Sequence, residues 1–313
     1  MRIGAAQTSQ GTRYGIVEHG ELILLEPQVE LYDWLESGRS REALSSDSMD
    51  FAIGGVSPVP IPVSSIRDFI TFEQHTAGSL KAVSGATDVP EAWFEAPAFY
   101  FTNPHAAVGA GADIPLPPGS ELFDFELEIA AVIGREGYNL TVEEAEECIV
   151  GYTILNDWSA RDLQRREMRV GLGPAKGKDT ATTLGPVMVT TDELAPFREG
   201  DRLALDMEVS VNGTPIGRDN LRQMAWSFAE LVAYASRGTW VRPGDIIGSG
   251  TCGGGCLAEL WGWNGAETPG PIRVGDTVTM RVEGIGELSN TVAQSPTLHP
   301  IPKARRVRYS APE

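Results

Sequence analysis

Short apolar or alternating stretches, separated by turn residues, run along most of the chain and predict a protein built mainly from β-strands. Near the N terminus such stretches cover residues 2–7, 14–17 and 21–25. Further strands are predicted over residues 125–133, 149–155, 186–190, 205–211 and 277–282. The dipeptide Asn212-Gly213 lies between two of these apolar segments and indicates a type I′ hairpin turn, because both residues accept positive φ.

Helical periodicity is confined to a few segments. The pattern predicts helices over residues 29–44, 141–148 and 224–236. In the first of these, Leu31, Trp34 and Leu35 recur at helical spacing. In the second, Thr141 followed by Glu144 forms a capping-box signature at the start of a short helix. The combination predicts a mainly β (α+β) fold.

The segment 56–63, VSPVPIPV, predicts a break between two parts of the chain. It contains three prolines in eight residues, and proline fixes φ and removes a backbone donor. A length of 313 residues also suggests about two domains. We therefore expect a small β-rich N-terminal domain over residues 1–62 and a larger, mainly β domain over residues 63–313.

Composition and charge exclude several classes of function. The chain is 42% hydrophobic and 22% charged, as expected for a folded protein, and its formal net charge is −18. Such a charge repels nucleic acid and anionic membrane surfaces. The apolar runs are too short to span a bilayer and the first fifteen residues lack a signal-peptide pattern, so we expect a soluble cytoplasmic protein with neither a nucleic-acid nor a membrane partner.

The three cysteines do not predict a disulfide framework. Their odd number fits a reducing compartment. Cys252 and Cys256 lie four positions apart in a glycine loop, but no second Cys or His cluster is near them in the sequence. A zinc site is therefore not the favoured interpretation of this pair.

Two glutamates lie within an otherwise apolar strand. Glu126 and Glu128 are two residues apart, so their side chains project from the same face. Two like charges on a face fit for a core are costly unless a cation neutralises them. Asp157 ends another apolar strand and could supply a third oxygen, which suggests Mg²⁺, Mn²⁺ or Ca²⁺. The competing interpretation is a solvated face of an antiparallel sheet.

Other polar residues carry weaker signals. The segment 157–164 is densely polar and directly follows a buried strand, where sites are often built, although a plain helix start with Arg161 paired to a surface acid has the same pattern. Asp68 and His75 stand seven positions apart. The glycine-rich loop 248–255 could cradle an anion or could form a hairpin with glycine bulges. Glu259 follows it in what is predicted to be an apolar strand.

Four ordered segments together resemble the fumarylacetoacetate hydrolase family, whose catalytic domain is a mixed β-roll. The similarity extends from residue 66 to about residue 261. The segments are 123–134 (FDFELEIAAVIG), 151–164 (GYTILNDWSARDLQ), 176–186 (KGKDTATTLGP) and 243–251 (PGDIIGSGT). The resemblance implies a catalytic β-roll for the larger domain.

The resemblance also implies a metal site. In the family, the Glu-x-Glu pair and the Asp of the Asn-Asp-Trp-Ser-Ala-Arg-Asp motif bind the cation, which corresponds to Glu126, Glu128 and Asp157 here. The spacing of Asp68 and His75 is similar to that of the true fumarylacetoacetases, so Asp68 is implied as a fourth ligand. The expected cofactor is Mg²⁺, with Ca²⁺ or Mn²⁺ as alternatives.

Catalytic and substrate-binding residues are implied in the same way. His75, oriented by Glu259, would activate a water molecule. The family's oxyanion donors correspond to Arg161, Gln164 and a lysine that is either Lys176 or Lys178, depending on which end of the segment is used for counting. Thr251 and Gly250 would hold the substrate carboxylate, and Met168 occupies the position of a substrate-gripping tyrosine of the mammalian-type hydrolases.

The implied function is a divalent-metal-dependent hydrolase that cleaves a carbon–carbon bond in a β-diketo or 2-oxo acid, as in aromatic catabolism. The cation would stabilise the enolate that leaves when the bond breaks. Isomerisation, decarboxylation or hydration of 2-oxo dicarboxylates could use the same site. A non-catalytic, Ca²⁺-stabilised β-rich binding protein is the rival from another class. A homodimer is implied by the resemblance alone.

Overall fold

The computed structural model describes residues 1–52, 55–265 and 267–307. The strands are β1 (Arg2–Thr8), β2 (Gly11–Glu18), β3 (Glu21–Leu25), β4 (Leu44–Asp50), β5 (Ser65–Phe69), β6 (Phe99–Thr102), β7 (Ala107–Val108), β8 (Asp113–Pro115), β9 (Phe123–Asp124), β10 (Leu127–Ile133), β11 (Gly137–Tyr138), β12 (Ile149–Asp157), β13 (Ser159–Ala160), β14 (Thr182–Thr190), β15 (Arg198–Glu199), β16 (Arg202–Leu203), β17 (Asp206–Val211), β18 (Thr214–Asn220), β19 (Trp240–Val241), β20 (Asp245–Gly248), β21 (Thr277–Val282) and β22 (Gly286–Ala293).

The α-helices are short and lie between these strands. They are α1 (Leu31–Glu36), α2 (Glu73–Ser84), α3 (Glu91–Glu95), α4 (Val142–Cys148), α5 (Arg161–Met168), α6 (Phe228–Ala235) and α7 (Leu257–Asn264). Single 3₁₀ turns cover Arg41–Ala43, Pro104–Ala106, Ala195–Phe197 and Leu221–Gln223. The predicted mainly β fold is confirmed. Among the described residues, no helix is long and apolar enough to cross a bilayer.

One large mixed sheet organises the molecule. Its strands run in the order β4-β3-β2-β1-β14-β12-β10-β20-β5-β6, with β7 added beside β14. The pairing of β1 with β14 joins the N-terminal hairpins to the rest of the sheet. Strands from both sides of residue 62 therefore belong to one sheet, and the division into domains 1–62 and 63–313 stays a prediction.

A second, smaller sheet contacts the large sheet through β17 and β22. It has five strands in the order β18-β17-β21-β22-β8. Its β17–β18 hairpin turns at Asn212 and Gly213, whose φ values are 50° and 76°. Both values lie in the left-handed region that a type I′ turn requires, so the predicted turn is confirmed.

The central strand β10 is buried on both faces. Ile129 and Ala131 point into the larger core, which the second sheet and α6 also line. Ala130 and Val132 point into a smaller core shared with Trp34 of α1. Because alternate residues of a strand share a face, Glu128 and Glu126 lie on the same side as Ala130, at the edge of the smaller core.

Two predictions about local structure are wrong in part. The predicted helix 29–44 ends at Glu36 because Gly38 and Arg39 take positive φ, and the chain continues as a 3₁₀ turn and then β4. Its apolar face, which includes Trp34, is buried as predicted. Glu259 lies in helix α7 and not in a strand. The capping box at Thr141 and Glu144 is confirmed.

Candidate metal and catalytic site

Four acidic side chains converge where neighbouring strands of the large sheet end. Asp68 lies in β5, Glu126 directly precedes β10, Glu128 lies in β10, and Asp157 ends β12. One carboxylate oxygen from each lies within 4.8 Å of one from every other. Their exposed fractions are only 3%, 5%, 0% and 1%. The structure therefore brings together the four acids that the sequence suggests as metal ligands.

Gly248 in β20 makes room for this cluster. Strand β20 lies between β5 and β10, and Gly248 is paired with Asp68 in the parallel register. A Cβ atom at position 248 would lie 2.3 Å from Asp68 Oδ1 and 3.2 Å from Glu128 Oε2. Since real Cβ atoms do not approach other atoms to 2.3 Å, only glycine allows both carboxylates to occupy this space.

Burial and mutual repulsion shift the titration of the cluster. Burial and the neighbouring Asp68 carboxylate raise the pKa of Glu128 well above its ordinary value. Burial raises the pKa of Asp157 to about 8, although Lys178 opposes this shift. Burial alone would also raise the pKa of Glu126, but the positive charges of Lys178 and Arg161 outweigh burial and lower the pKa of that carboxyl. The Glu128 and Asp157 carboxyls therefore ionise less readily than ordinary carboxyls unless a cation compensates their charge.

The residues fit a hard divalent cation. All four donors are carboxylate oxygens, the ligand type that Mg²⁺, Mn²⁺ and Ca²⁺ prefer. Asp68 Oδ1 and Asp157 Oδ1 are buried without a hydrogen-bond partner among the described residues. Buried polar atoms are normally paired, so two unpaired oxygens in one anionic cluster point to a ligand that supplies positive charge.

Lys178, and not Lys176, reaches the carboxylates. Lys178 is buried and its Nζ donates to Glu126 Oε2 and Asp157 Oδ2. Lys176 is 61% exposed and pairs with Asp179 at 2.9 Å. The Glu167 carboxylate holds the turn by accepting from the backbone N–H groups of residues 175, 176 and 177. The sequence left both lysines as candidates for the same role. The structure distinguishes them, because only Lys178 contacts the carboxylates.

Arg161 links the cluster to helix α7 through Asp124. Its Nη2 donates to Glu126 Oε1 at 2.7 Å and its Nε to Asp124 Oδ2 at 2.9 Å. Its Nη1 donates to Gln164 Oε1 at 3.1 Å. Arg161 therefore pairs with buried acids, and not with a surface acid as a plain helix start would allow. Asp124 also accepts from the backbone N–H groups of Leu257 and Ala258, which begin α7.

His75 and Glu259 come from two helices in close contact. Gly78 of α2 and Gly262 of α7 allow this approach, because a Cβ on Gly262 would lie 2.1 Å from Gly78 O. His75 Nδ1 lies 3.6 Å from Glu259 Oε2, and His75 Nε2 lies 3.3 Å from Ser79 Oγ. A ring nitrogen of His75 also lies within 4.8 Å of a Glu126 carboxylate oxygen. The pair thus lies directly beside the acidic cluster.

The proposed substrate-binding residues lie in different environments. The Gly250 N–H donates to Glu128 Oε2 at 3.2 Å, and Thr251 Oγ1 donates to Glu128 Oε1 at 3.4 Å. The anions that this loop contacts in the structure are therefore the protein's own carboxylates, since Gly253 and Gly254 likewise donate to Asp219 and Glu259, and the loop is not a hairpin. Met168 ends α5 and is 53% exposed. Substrate binding by these three residues stays a prediction.

Sequence reasoning missed two polar residues of the site. Tyr100 in β6 is the cross-strand partner of Asp68, and its hydroxyl donates to Asp68 Oδ2 at 3.1 Å and to Asp157 Oδ2. No local signal marks Tyr100, because the contact depends on β5–β6 pairing. Asp124 could have been found, since it precedes Glu126 by two residues and continues the same alternation of buried acids.

Comparisons with known proteins identify the family. A family model described as fumarylacetoacetate (FAA) hydrolase, C-terminal, matches residues 65–293. The fumarylacetoacetase of Arabidopsis thaliana is 32% identical over 255 residues, which cover 66% of this chain and 60% of that protein. The chain thus spans about three-fifths of the length of that curated relative.

Solved structures of related enzymes have the same fold. The 5-carboxymethyl-2-hydroxymuconate delta-isomerase of Mycobacterium smegmatis superposes with a TM-score of 0.70 at 27% identity, covering 94% of this chain and 100% of that one. The fumarylpyruvate hydrolase of Pseudomonas aeruginosa, solved with Mn²⁺ and pyruvate, has a TM-score of 0.60 at 25% identity over 75% of this chain and 91% of that one. These relatives are a hydrolase and an isomerase that act on small molecules. The chain belongs to the fumarylacetoacetate hydrolase family.

Proposed function

We propose that the protein is a divalent-metal-dependent hydrolase that cleaves a carbon–carbon bond in a β-diketo or 2-oxo acid. The observation that carries this proposal is the position of the His75–Glu259 pair, within 4.8 Å of the Glu126 carboxylate. A general base beside a cluster of buried carboxylates is the arrangement that water attack on a metal-held substrate needs. The related hydrolase solved with Mn²⁺ and pyruvate supports the same chemistry.

Asp68, Glu126, Glu128 and Asp157 would hold the cation, for which we propose Mg²⁺. When bound, a divalent cation supplies Lewis-acid stabilisation of negative charge on the oxygens of the substrate. Tyr100 and Lys178 contribute from the protein side, because they fix Asp157 from two directions. The carboxylates are therefore pre-oriented, which reduces the reorganisation that binding would otherwise require.

His75 would act as the general base. A carboxylate close to one ring nitrogen favours the tautomer that carries its proton there, so Glu259 favours Nδ1–H and leaves Nε2 as the proton acceptor. Nε2 would take a proton from water and the resulting hydroxide would attack the substrate carbonyl. Glu259, which is fully buried, would stabilise the imidazolium through its negative charge. The carbon–carbon bond would then break, and the enolate carbon that leaves would take up the proton from the imidazolium.

Arg161, Gln164 and Lys178 would stabilise the charge that develops during the reaction. Arg161 and Lys178 are buried cations whose positions are fixed by Asp124, Glu126 and Asp157. Preorganised donors of this kind contribute roughly 3 kcal/mol each to transition-state stabilisation. Gln164 accepts from Arg161 through Oε1, so its Nε2 is the atom with which it would donate.

We also propose a class of substrate and an oligomeric state. Two buried cations beside a cation site favour a small acid with adjacent oxygens, such as an acylpyruvate. A homodimer is proposed from the family, and size-exclusion chromatography with light scattering tests it.

Purified protein with Mg²⁺ should be assayed against acylpyruvates, fumarylacetoacetate and oxaloacetate. We expect hydrolysis by the wild type, and His75→Ala should lose turnover while it still binds Mg²⁺ in calorimetry. His105→Ala, which changes an exposed histidine, is the matched control. Tautomerisation or decarboxylation of oxaloacetate without hydrolysis would favour the alternative activities. If Mg²⁺ or Ca²⁺ raised the melting temperature but no substrate were turned over, the result would favour a non-catalytic protein with a structural metal.

A further inference from the structure

A second, softer set of donors lies against the acidic cluster. Cys256 Sγ is 3.7 Å from His75 Nδ1. One donor atom each from His75, Cys256 and Glu126 lie within 4.8 Å of one another, and all three residues are buried. The set combines a sulfur, an imidazole nitrogen and a carboxylate oxygen, whereas the four-carboxylate cluster offers oxygen alone. The sequence alone does not reveal this set, because residues 75 and 256 are far apart along the chain.

The distances match those between ligands of one tetrahedral ion. Zinc binds imidazole nitrogen at about 2.0–2.1 Å and thiolate sulfur at about 2.3 Å, so two such atoms at a tetrahedral angle lie about 3.6 Å apart. The Cys256 Sγ–His75 Nδ1 separation is 3.7 Å. Glu259 Oε2 lies 3.6 Å from the same nitrogen and is a candidate fourth donor. The Cys256–His75 pair is therefore already at ligand spacing, and a Glu126 oxygen lies within 4.8 Å of both atoms.

We propose that Cys256, His75 and Glu126 form an inhibitory site for a thiophilic divalent cation of the Zn²⁺ class. The site is distinct from the proposed Mg²⁺ site, with which it shares Glu126 alone. The inhibitory effect rests on the proposed role of His75 as general base, whereas the binding does not depend on that role.

Inhibition follows from the position of the imidazole proton. In the active form Nδ1 carries the proton and Nε2 accepts one from water. A cation bound at Nδ1 requires the lone pair of that nitrogen, so the single proton of the neutral imidazole moves to Nε2. The Cys256 thiol releases its proton to solvent and binds as thiolate. The base is then protonated at the atom that must accept, and water is not activated.

The local structural role of Cys256 does not require sulfur. Cys256 caps α7 by accepting from the Glu259 N–H at 3.4 Å. Serine is a favourable residue at such a cap, so Cys256→Ser should keep the helix and remove the soft ligand. Cys252 is an equally buried thiol four residues earlier and is not part of the His75–Glu126 set. Cys252→Ser is therefore the matched control.

Titration of the full-length, Mg²⁺-saturated protein with Co²⁺ tests the site independently of turnover. We expect thiolate-to-cobalt charge-transfer absorption in the wild type and in Cys252→Ser, its loss in Cys256→Ser, and its displacement by Zn²⁺. Absorption that persists in Cys256→Ser, or none in the wild type, would overturn the proposal. A wild-type band that appears without hydrolase activity would refute the proposed function and leave the binding site standing.

Kinetics test the inhibitory role. With Mg²⁺ in excess, Zn²⁺ should inhibit the wild type and Cys252→Ser equally, and Cys256→Ser should need at least about tenfold more Zn²⁺, because it lacks one ligand. Its Mg²⁺-dependent rate without Zn²⁺ should equal that of the wild type. Equal sensitivity of all three proteins would contradict inhibition through Cys256.

Discussion

The Tyr100 hydroxyl donates a hydrogen bond to Asp157 Oδ2, while Asp157 Oδ1 is buried without a partner among the described residues. The same hydroxyl lies 3.1 Å from Asp68 Oδ2, and Asp68 Oδ1 is likewise unpaired. Burial and these carboxylates raise the pKa of Tyr100 well above its ordinary value, so the phenol stays protonated and can donate. Tyr100 thus fixes one oxygen of each acid and leaves the other for a cation.

Tyr100→Phe should therefore weaken Mg²⁺ binding by about 10- to 100-fold, the usual effect of losing a hydrogen bond to a metal ligand. The substitution removes only the hydroxyl, so the packing of β5 against β6 should persist. Calorimetric titration with Mg²⁺ measures the change. Tyr138→Phe, at a half-exposed tyrosine, is the control, and equal affinity of the two variants would contradict a positioning role for Tyr100.

Gly248→Ala should also impair cation binding, for a steric reason. The added Cβ would lie 2.3 Å from Asp68 Oδ1, so the carboxylate must move away from the cluster. Overpacking of this kind typically costs about 1–3 kcal/mol of stability. We expect weaker Mg²⁺ binding in calorimetry together with a lowered melting temperature.

Gly270→Ala is the matched control for this change, because a Cβ at position 270 meets no atom within 4 Å. If Gly248→Ala binds Mg²⁺ as tightly as Gly270→Ala, the space at position 248 is not needed by the carboxylates.

The two lysines should separate in an activity assay. Lys178→Met removes a buried cation that contacts Glu126 and Asp157 and should lower kcat by at least about 100-fold, the usual cost of one lost electrostatic donor. Lys176→Met should keep wild-type kcat, because the exposed ion pair with Asp179 contributes little. Circular dichroism should establish that both variants fold. Loss of turnover in Lys176→Met alone would reverse the assignment.

Strand patterns and motif order predicted much of this site. The two-residue spacing of Glu126 and Glu128 placed both carboxylates on one face, and the polar segment that begins with the last residue of β12 supplied Asp157 and Arg161. These are local properties, because strand periodicity and strand ends depend on contiguous residues of the sequence.

The remaining features depend on contacts between distant segments. Glu259 lies in a helix whose first N–H groups are capped by Asp124, more than 130 residues earlier. Tyr100 reaches Asp68 only through strand pairing, and Cys256 meets His75 only because α2 packs against α7. Single-sequence reasoning sees neither the cap nor the pairing, so it assigned Glu259 to a strand and omitted Tyr100.

Metal removal should reveal the electrostatic cost of the four buried carboxylates. Binding of Mg²⁺ to the folded state stabilises it by RT ln(1 + [L]/Kd), about 2.7 kcal/mol when the free ion is at 100 times Kd. Added Mg²⁺ should therefore raise the melting temperature of EDTA-treated protein.

Glu128→Gln replaces a carboxyl group, whose pKa is strongly raised by burial and by Asp68, with a neutral group of similar shape. At neutral pH the metal-free variant should be at least as stable as metal-free wild type, because folding no longer requires a buried carboxyl to take up a proton, yet its melting temperature should no longer respond to Mg²⁺. Glu136→Gln, at an exposed glutamate, should keep the full response. If Mg²⁺ stabilises Glu128→Gln as much as it stabilises Glu136→Gln, the ion binds elsewhere and the four-carboxylate assignment is wrong.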